Sequence, residues 1–131
     1  VSMLIRPDDY VVVANLPYGI QKRIEVVRAL LAEPRILMLD EPAAGLNNAE
    51  SDDLRALLER VSARGVTLLV VEHDMQFVRR LCDHVVVLNF GQLIFEGTPE
   101  EVHRDPAVLE AYLGTDAQQK AARPDTAAQA G

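Results

Sequence analysis

Aromatic residues, lysines and cysteines are scarce in this sequence. No tryptophan occurs in its 131 residues, and aromatics make up 5% of them. A lone cysteine, Cys82, rules out an internal disulfide and fits a reducing compartment. Lys22 and Lys120 are the only lysines, and the net charge of −7 is spread over the chain. A nucleic-acid surface needs clustered Lys and Arg, so no nucleic-acid partner is expected. No apolar run approaches the roughly 20 residues of a membrane span. The first residues show no charged region followed by an apolar core and a cleavage site, so no secretion signal is expected. The expected location is the cytoplasm, with any membrane association made through a partner. Glycine is also thin where it would matter most. None of the seven glycines precedes Gly19, and no lysine precedes Lys22. A phosphate cradle needs several glycines, whose backbone N–H groups approach the phosphates, and a lysine; that combination is missing.

What is present suits a soluble globular domain with a real core: 49% hydrophobic residues and 25% charged. The chain is organised around Arg35 to Asn47, RILMLDEPAAGLN. Its apolar run delivers two adjacent carboxylates, Asp40 and Glu41, to a strand end that Pro42 stops. An isolated Asp-Glu pair is more often a solvated turn, so its meaning depends on the surroundings.

Pro7-Asp8-Asp9 reads as a turn, and Tyr10 to Val13 as a short strand or an unordered lead-in. After the turn Leu16-Pro17-Tyr18-Gly19, the pattern turns helical from Ile20 to Ala32. Ile20, Ile24, Val27 and Leu31 form one apolar face, and Pro34 stops the helix. A strand over 36–39 follows. Asn47 with Glu50 has capping-box spacing for a helix with Leu54, Leu57, Leu58 and Val61 inward, and Gly65 ends it. Val66 to Val71 is a continuous β-rich run of the kind buried on both faces. Glu72-His73-Asp74 comes next, and Asp74 caps a helix to about Cys82 with Val78, Leu81 and Cys82 inward. His84 to Leu88 reads as another buried-type strand, returning through Asn89-Phe90-Gly91 as a hairpin with 92–96. Thr98-Pro99-Glu100-Glu101 is a strong helix start. Asp105-Pro106 opens a last short helix with Leu109, Tyr112 and Leu113 apolar, ended by Gly114. Residues 115–131 read as a disordered tail. His84, His103 and Cys82 read as ordinary, and Lys22, Arg23, Arg28, Arg79 and Arg80 as solvated helix faces.

Strands alternating with helices through short links imply an α/β fold with a mostly parallel sheet. Ligands in such sheets sit at the carboxyl ends of strands. Asp40-Glu41 and Glu72-His73 both fall there, and on neighbouring strands they converge. That set suits metal-assisted phosphoryl transfer. One carboxylate holds Mg²⁺, a second polarises the attacking water, and the histidine contacts the terminal phosphate.

These residues resemble the ATPase subunits of ATP-binding-cassette (ABC) transporters. ILMLDEP looks like their Walker B strand, AAGLN like the D-loop, and VVEHDM like the switch region. NLPYGIQKRIEVVRALLAEP stands where the family has its signature motif and helix. The order and spacing agree from Leu16 to about Gly114. EPAAGLN and GTPEEVHRDPAVLEAYLG look like the branched-chain amino-acid importers of that family. The resemblance implies the C-terminal portion of a P-loop NTPase fold: a lead-in over 1–15, a partial ATPase domain over 16–114 and a tail over 115–131. It implies Asp40 at the Mg²⁺ position, Glu41 as general base and His73 as switch histidine. Leu16, Pro17, Tyr18, Gly19, Ile20 and Gln21 match the signature, which caps the partner's nucleotide. Ala44 to Asn47 match the D-loop, which crosses to the partner. Implied cofactors are ATP and Mg²⁺; implied partners are a second ATPase subunit and transmembrane permease subunits, at the inner face of the cell membrane.

The Walker A loop of that family is absent here. The signature also departs from Leu-Ser-Gly-Gly-Gln. Pro17 removes a hydroxyl and an N–H, Ile20 replaces a polar side chain, and Gln21 is the nearest substitute. The isolated chain is therefore expected neither to bind ATP tightly nor to hydrolyse it, and to leave apolar sheet surface bare. The alternative reading is a non-catalytic partner-binding fragment or the remnant of a broken gene.

Overall fold

A computed structural model describes residues 12–112. The turn before Tyr10, the tail over 115–131 and the expected stop at Gly114 lie outside them. Contacts divide the chain between Leu81 and Cys82 into two compact units.

The first unit opens with a single 3-10 turn, Val13–Asn15, followed by α1, Tyr18–Leu30. Strand β1 spans Ile36–Asp40, α2 spans Asn48–Ala63, β2 spans Thr67–Val71 and α3 spans Met75–Leu81. β1 and β2 pair in parallel, from Ile36 opposite Thr67 to Asp40 opposite Val71. Helix α2 is the crossover that a parallel pair requires. Its start is fixed as the sequence implies: the Asn47 side chain accepts from Glu50 N–H, and the Glu50 carboxylate accepts from Asn47 N–H. It ends beside Gly65, whose φ of 90° suits only a residue without Cβ. Asp74 starts α3 by accepting from the N–H groups of Gln76 and Phe77.

Leu54 and Leu58 of α2 are almost completely buried and anchor a core with Val26, Leu37, Val61 and Phe77. The face α1 presents differs from the expected one. Val26 is buried and Leu30 packs on the core, whereas Val27 and Leu31 are exposed. Helix α1 carries apolar residues on more than one face, and contact with α2 selects the stripe containing Gly19 and Val26. In α3, Phe77 joins Val78 as a buried residue, while Leu81 is half-buried; the helix ends there, one residue before Cys82.

Strand β2 is not buried on both faces. Leu37, Leu39, Leu68 and Val70 face the core. The alternate residues are open: Ile36 is 59% exposed, Met38 73%, Leu69 52% and Val71 58%. Successive strand side chains point to opposite faces, so covering one face leaves the other bare.

The second unit is built on an antiparallel hairpin of β3, Val85–Asn89, and β4, Gln92–Gly97. Phe90 and Gly91, at φ 47° and 77°, form its two-residue turn, and the register shifts between Val87 and Leu88. Phe90 is 98% exposed at the tip, and Val86 and Leu88 are open too, so β3 is likewise not a strand buried throughout. Helix α4, Pro99–Val102, starts with a capping box between Thr98 and Glu101. Residues 106–112 are again helical. There Val108 is buried, while Leu109 and Tyr112 are exposed.

Candidate functional site

The parallel register sets Asp40 at the end of β1 beside Val71 at the end of β2. The Asp40 carboxylate is exposed and makes no hydrogen bond or ion pair among the described residues. Glu41 turns into left-handed backbone, φ 44°, and its N–H donates to Val71 O at 2.8 Å. His73 stands just past β2. Its Nδ1 is 3.8 Å from Glu41 Oε1, and both side chains are more than half exposed. The structure therefore brings Glu41 and His73 together, one residue beyond Asp40.

The expected signature residues form a second cluster at the start of α1. A Cβ added to Gly19 would lie 2.8 Å from Glu50 Cγ, so the helix start approaches α2 as only glycine permits. A Cβ on Gly45, which has φ 77°, would lie 3.2 Å from Tyr18 Cε1. Tyr18 and Gly19 thus pack against the Ala44–Asn47 loop and the helix that follows it. Lys22 pairs with Glu25 at 3.3 Å and lies 5.5 Å from the Tyr18 ring centroid. Burial lowers the affinity of its ammonium for the proton, but hydrogen bonds to Glu25 and Tyr18 outweigh this and push its pKa up. Pro17 is the N-cap residue and supplies no side-chain cap. Ile20 is half-buried. The Gln21 amide folds back on the preceding chain, donating to Leu16 O at 2.7 Å and to Ala14 O at 3.4 Å. Asn47, the remaining D-loop candidate, is engaged in capping α2.

A cavity of about 250 Å³ lies along α1 and β1, lined by Lys22, Glu25 and Asp40 among otherwise apolar neighbours. No glycine lines it, so it offers no backbone cradle for phosphates.

Known proteins resemble this chain over most of its length. The high-affinity branched-chain amino acid transport ATP-binding protein BraF of Pseudomonas aeruginosa is 52% identical over 101 residues, 76% of this chain and 40% of BraF. The chain is related to the ATP-binding subunits of branched-chain amino-acid ABC transporters. LivG of Escherichia coli K12, described in the same terms, is 44% identical over 102 residues, 77% of this chain and 40% of LivG. A family profile described as "Branched-chain amino acid ATP-binding cassette transporter" matches residues 92–118. Among solved structures, MJ1267, an ATP-binding cassette of an ABC transporter, superposes in its ADP conformation with a TM-score of 0.71 at 35% identity. That match covers 76% of this chain and 41% of MJ1267. CbiO1 from Clostridium perfringens, part of the ABC transporter complex cbiONQ, gives a TM-score of 0.66 at 33% identity, covering 75% of this chain and 39% of CbiO1. The fold is thus the C-terminal portion of an ABC ATPase cassette. The chain spans about two-fifths of the length of the curated relatives it matches.

Among the described residues no cluster of three or more His, Cys, Asp or Glu could hold a metal by itself. Mg²⁺ does not require one, because it is usually bound by one or two carboxylates plus substrate phosphates and water. The free Asp40 carboxylate fits that donor set. Among the described residues, no helix is long and apolar enough to cross a membrane.

Glu72, placed by the sequence at a strand end but given no role of its own, makes two bonds that the sequence did not foretell. Glu72 Oε1 accepts from Ala43 N–H at 2.8 Å and Oε2 from His73 N–H at 3.2 Å. Its position between a strand end and the switch histidine was the available signal.

Proposed function

We propose that this chain is part of the ATP-hydrolysing subunit of an ABC importer similar to those for branched-chain amino acids. The observation that carries the reading is the Glu41–His73 pair beside the free Asp40 carboxylate, at the ends of two parallel strands. Glu41 takes the proton of the attacking water, and its exposed carboxylate is open to that water. His73 holds the terminal phosphate against it. Asp40 would hold Mg²⁺ in part, and the ion would supply positive charge to the phosphates. Tyr18, Gly19 and the Ala44–Asn47 loop form the face toward a second ATPase subunit, and permease subunits hold the assembly at the inner membrane face.

The 131-residue chain alone is expected to show no steady-state ATPase, because no glycine-rich loop stands before Gly19. The test is a chimera in which this chain replaces the matching two-fifths of BraF. It should hydrolyse ATP, and Glu41→Gln should lower kcat by about a hundredfold or more, within the span expected of a lost general base. An active chimera unaffected by Glu41→Gln overturns the assignment of Glu41.

A second reading, a non-catalytic fragment that binds an intact ATPase, is favoured by one observation. Gln21 and Asn47 spend their polar side chains on their own chain. An inactive chimera that still dimerises with intact BraF would select it.

A further inference from the structure

Glu72 is left unused by the roles assigned above. It follows Val71, where the parallel ladder runs out: the last rung is the bond from Glu41 N–H to Val71 O. Pro42 has no N–H, so the next main-chain donor on the β1 side is Ala43. That donor meets the Glu72 side chain, at 2.8 Å, in place of strand backbone. The second carboxylate oxygen takes His73 N–H at 3.2 Å. One carboxylate thus joins the loop leaving Glu41 to the loop carrying His73, across 29 residues of sequence.

Helix capping does not account for this, because Asp74 already receives the first N–H groups of α3. Two acceptor oxygens facing two N–H donors match the two oxygens of a carboxyl group. Glutamine offers only one oxygen, and its NH₂ would face a donor. Aspartate is one methylene shorter and cannot span the same gap.

We propose that Glu72 is a positioning residue that sets the spacing of Glu41 and His73 by clamping the loops that carry them. Its catalytic meaning rests on the ATPase reading above; the clamp itself does not. Glu72 touches no reacting atom in this role and acts through its neighbours. With the clamp closed, the base and the switch histidine keep one spacing. With it open, the Ala43 loop and His73 move independently.

The test is solution NMR on the 131-residue chain, without nucleotide. In the unmodified chain, a scalar coupling across the hydrogen bond from Ala43 N–H to the Glu72 carboxylate is expected, and its absence overturns the clamp. In Glu72→Gln and Glu72→Ala, Ala43 N–H should exchange with solvent at least about tenfold faster, with Leu58 in the core changed by less than roughly twofold. Contacts between the Glu41 side chain and the His73 ring should also disappear. Unchanged exchange at Ala43, persistence of the Glu41–His73 contacts, or equal loss of protection at Leu58 would each overturn the proposal. No arm uses ATP, so an inactive chimera and a failed clamp are separate results.

Discussion

At the residue scale, glycine placement says more than the acidic pair does. Gly19 lies against Glu50, and Glu50 is half of the capping box that starts α2. Gly19→Ala pushes a methyl into that side chain and forces it off Asn47. The expected cost is about 1 kcal/mol, the scale of a lost cap. It should register as a lower melting temperature. If the cap is the route, Asn47→Ala added to Gly19→Ala should cost clearly less than Asn47→Ala alone. Additive losses would place the damage elsewhere. The placement of Asp40, Glu41 and His73 at the ends of two strands was legible in the sequence, because an apolar run leads up to each pair of residues. The bond of Glu72 to Ala43 N–H and the Gly19–Glu50 contact were not, because they depend on which atoms meet across 29 and 31 positions. Spacing along the chain carries no such information.

At the element scale, both capping boxes were legible, since a cap is a local pattern of side chain and backbone. The stripe of α1 was not. A helix with apolar residues on several faces can be turned in more than one way, and its neighbour makes the choice. The one-sided burial of β1 and β2 was missed for a related reason. A continuous apolar run shows that both faces can be buried, not that both are. The box that starts α4 gives a pH-dependent prediction. The Thr98 backbone N–H, and then its hydroxyl, hold the Glu101 carboxyl below its ordinary pKa. A carboxylate with a lowered folded-state pKa contributes stability above the usual glutamate range, and that contribution is lost as pH falls through the folded value. Thr98→Ala should therefore lower the melting temperature at neutral pH, and the difference from the unmodified chain should shrink under acid. A gap that stays constant from about pH 7 to about pH 3, across the ordinary glutamate pKa of about 4.3, would show that ionised Glu101 is not involved.

At the scale of the whole molecule, the bare side of the β1–β2 sheet is the main liability. Ile36, Met38, Leu69 and Val71 stand together on it. Exposed apolar strands invite pairing with other chains. Met38→Lys places a charge in the middle of that face, at a side chain that is mostly exposed. It should reduce self-association in sedimentation runs while leaving the circular dichroism spectrum unchanged. Equal self-association in both proteins would mean that another surface, such as the Phe90 hairpin tip, drives it. The turn at Glu41 carries a cost of its own. A side-chain-bearing residue at φ 44° costs of order 1 kcal/mol, and glycine or asparagine would relax the turn. Glutamate there holds the turn at a cost in stability that glycine, as at Gly45 and Gly65, would not carry.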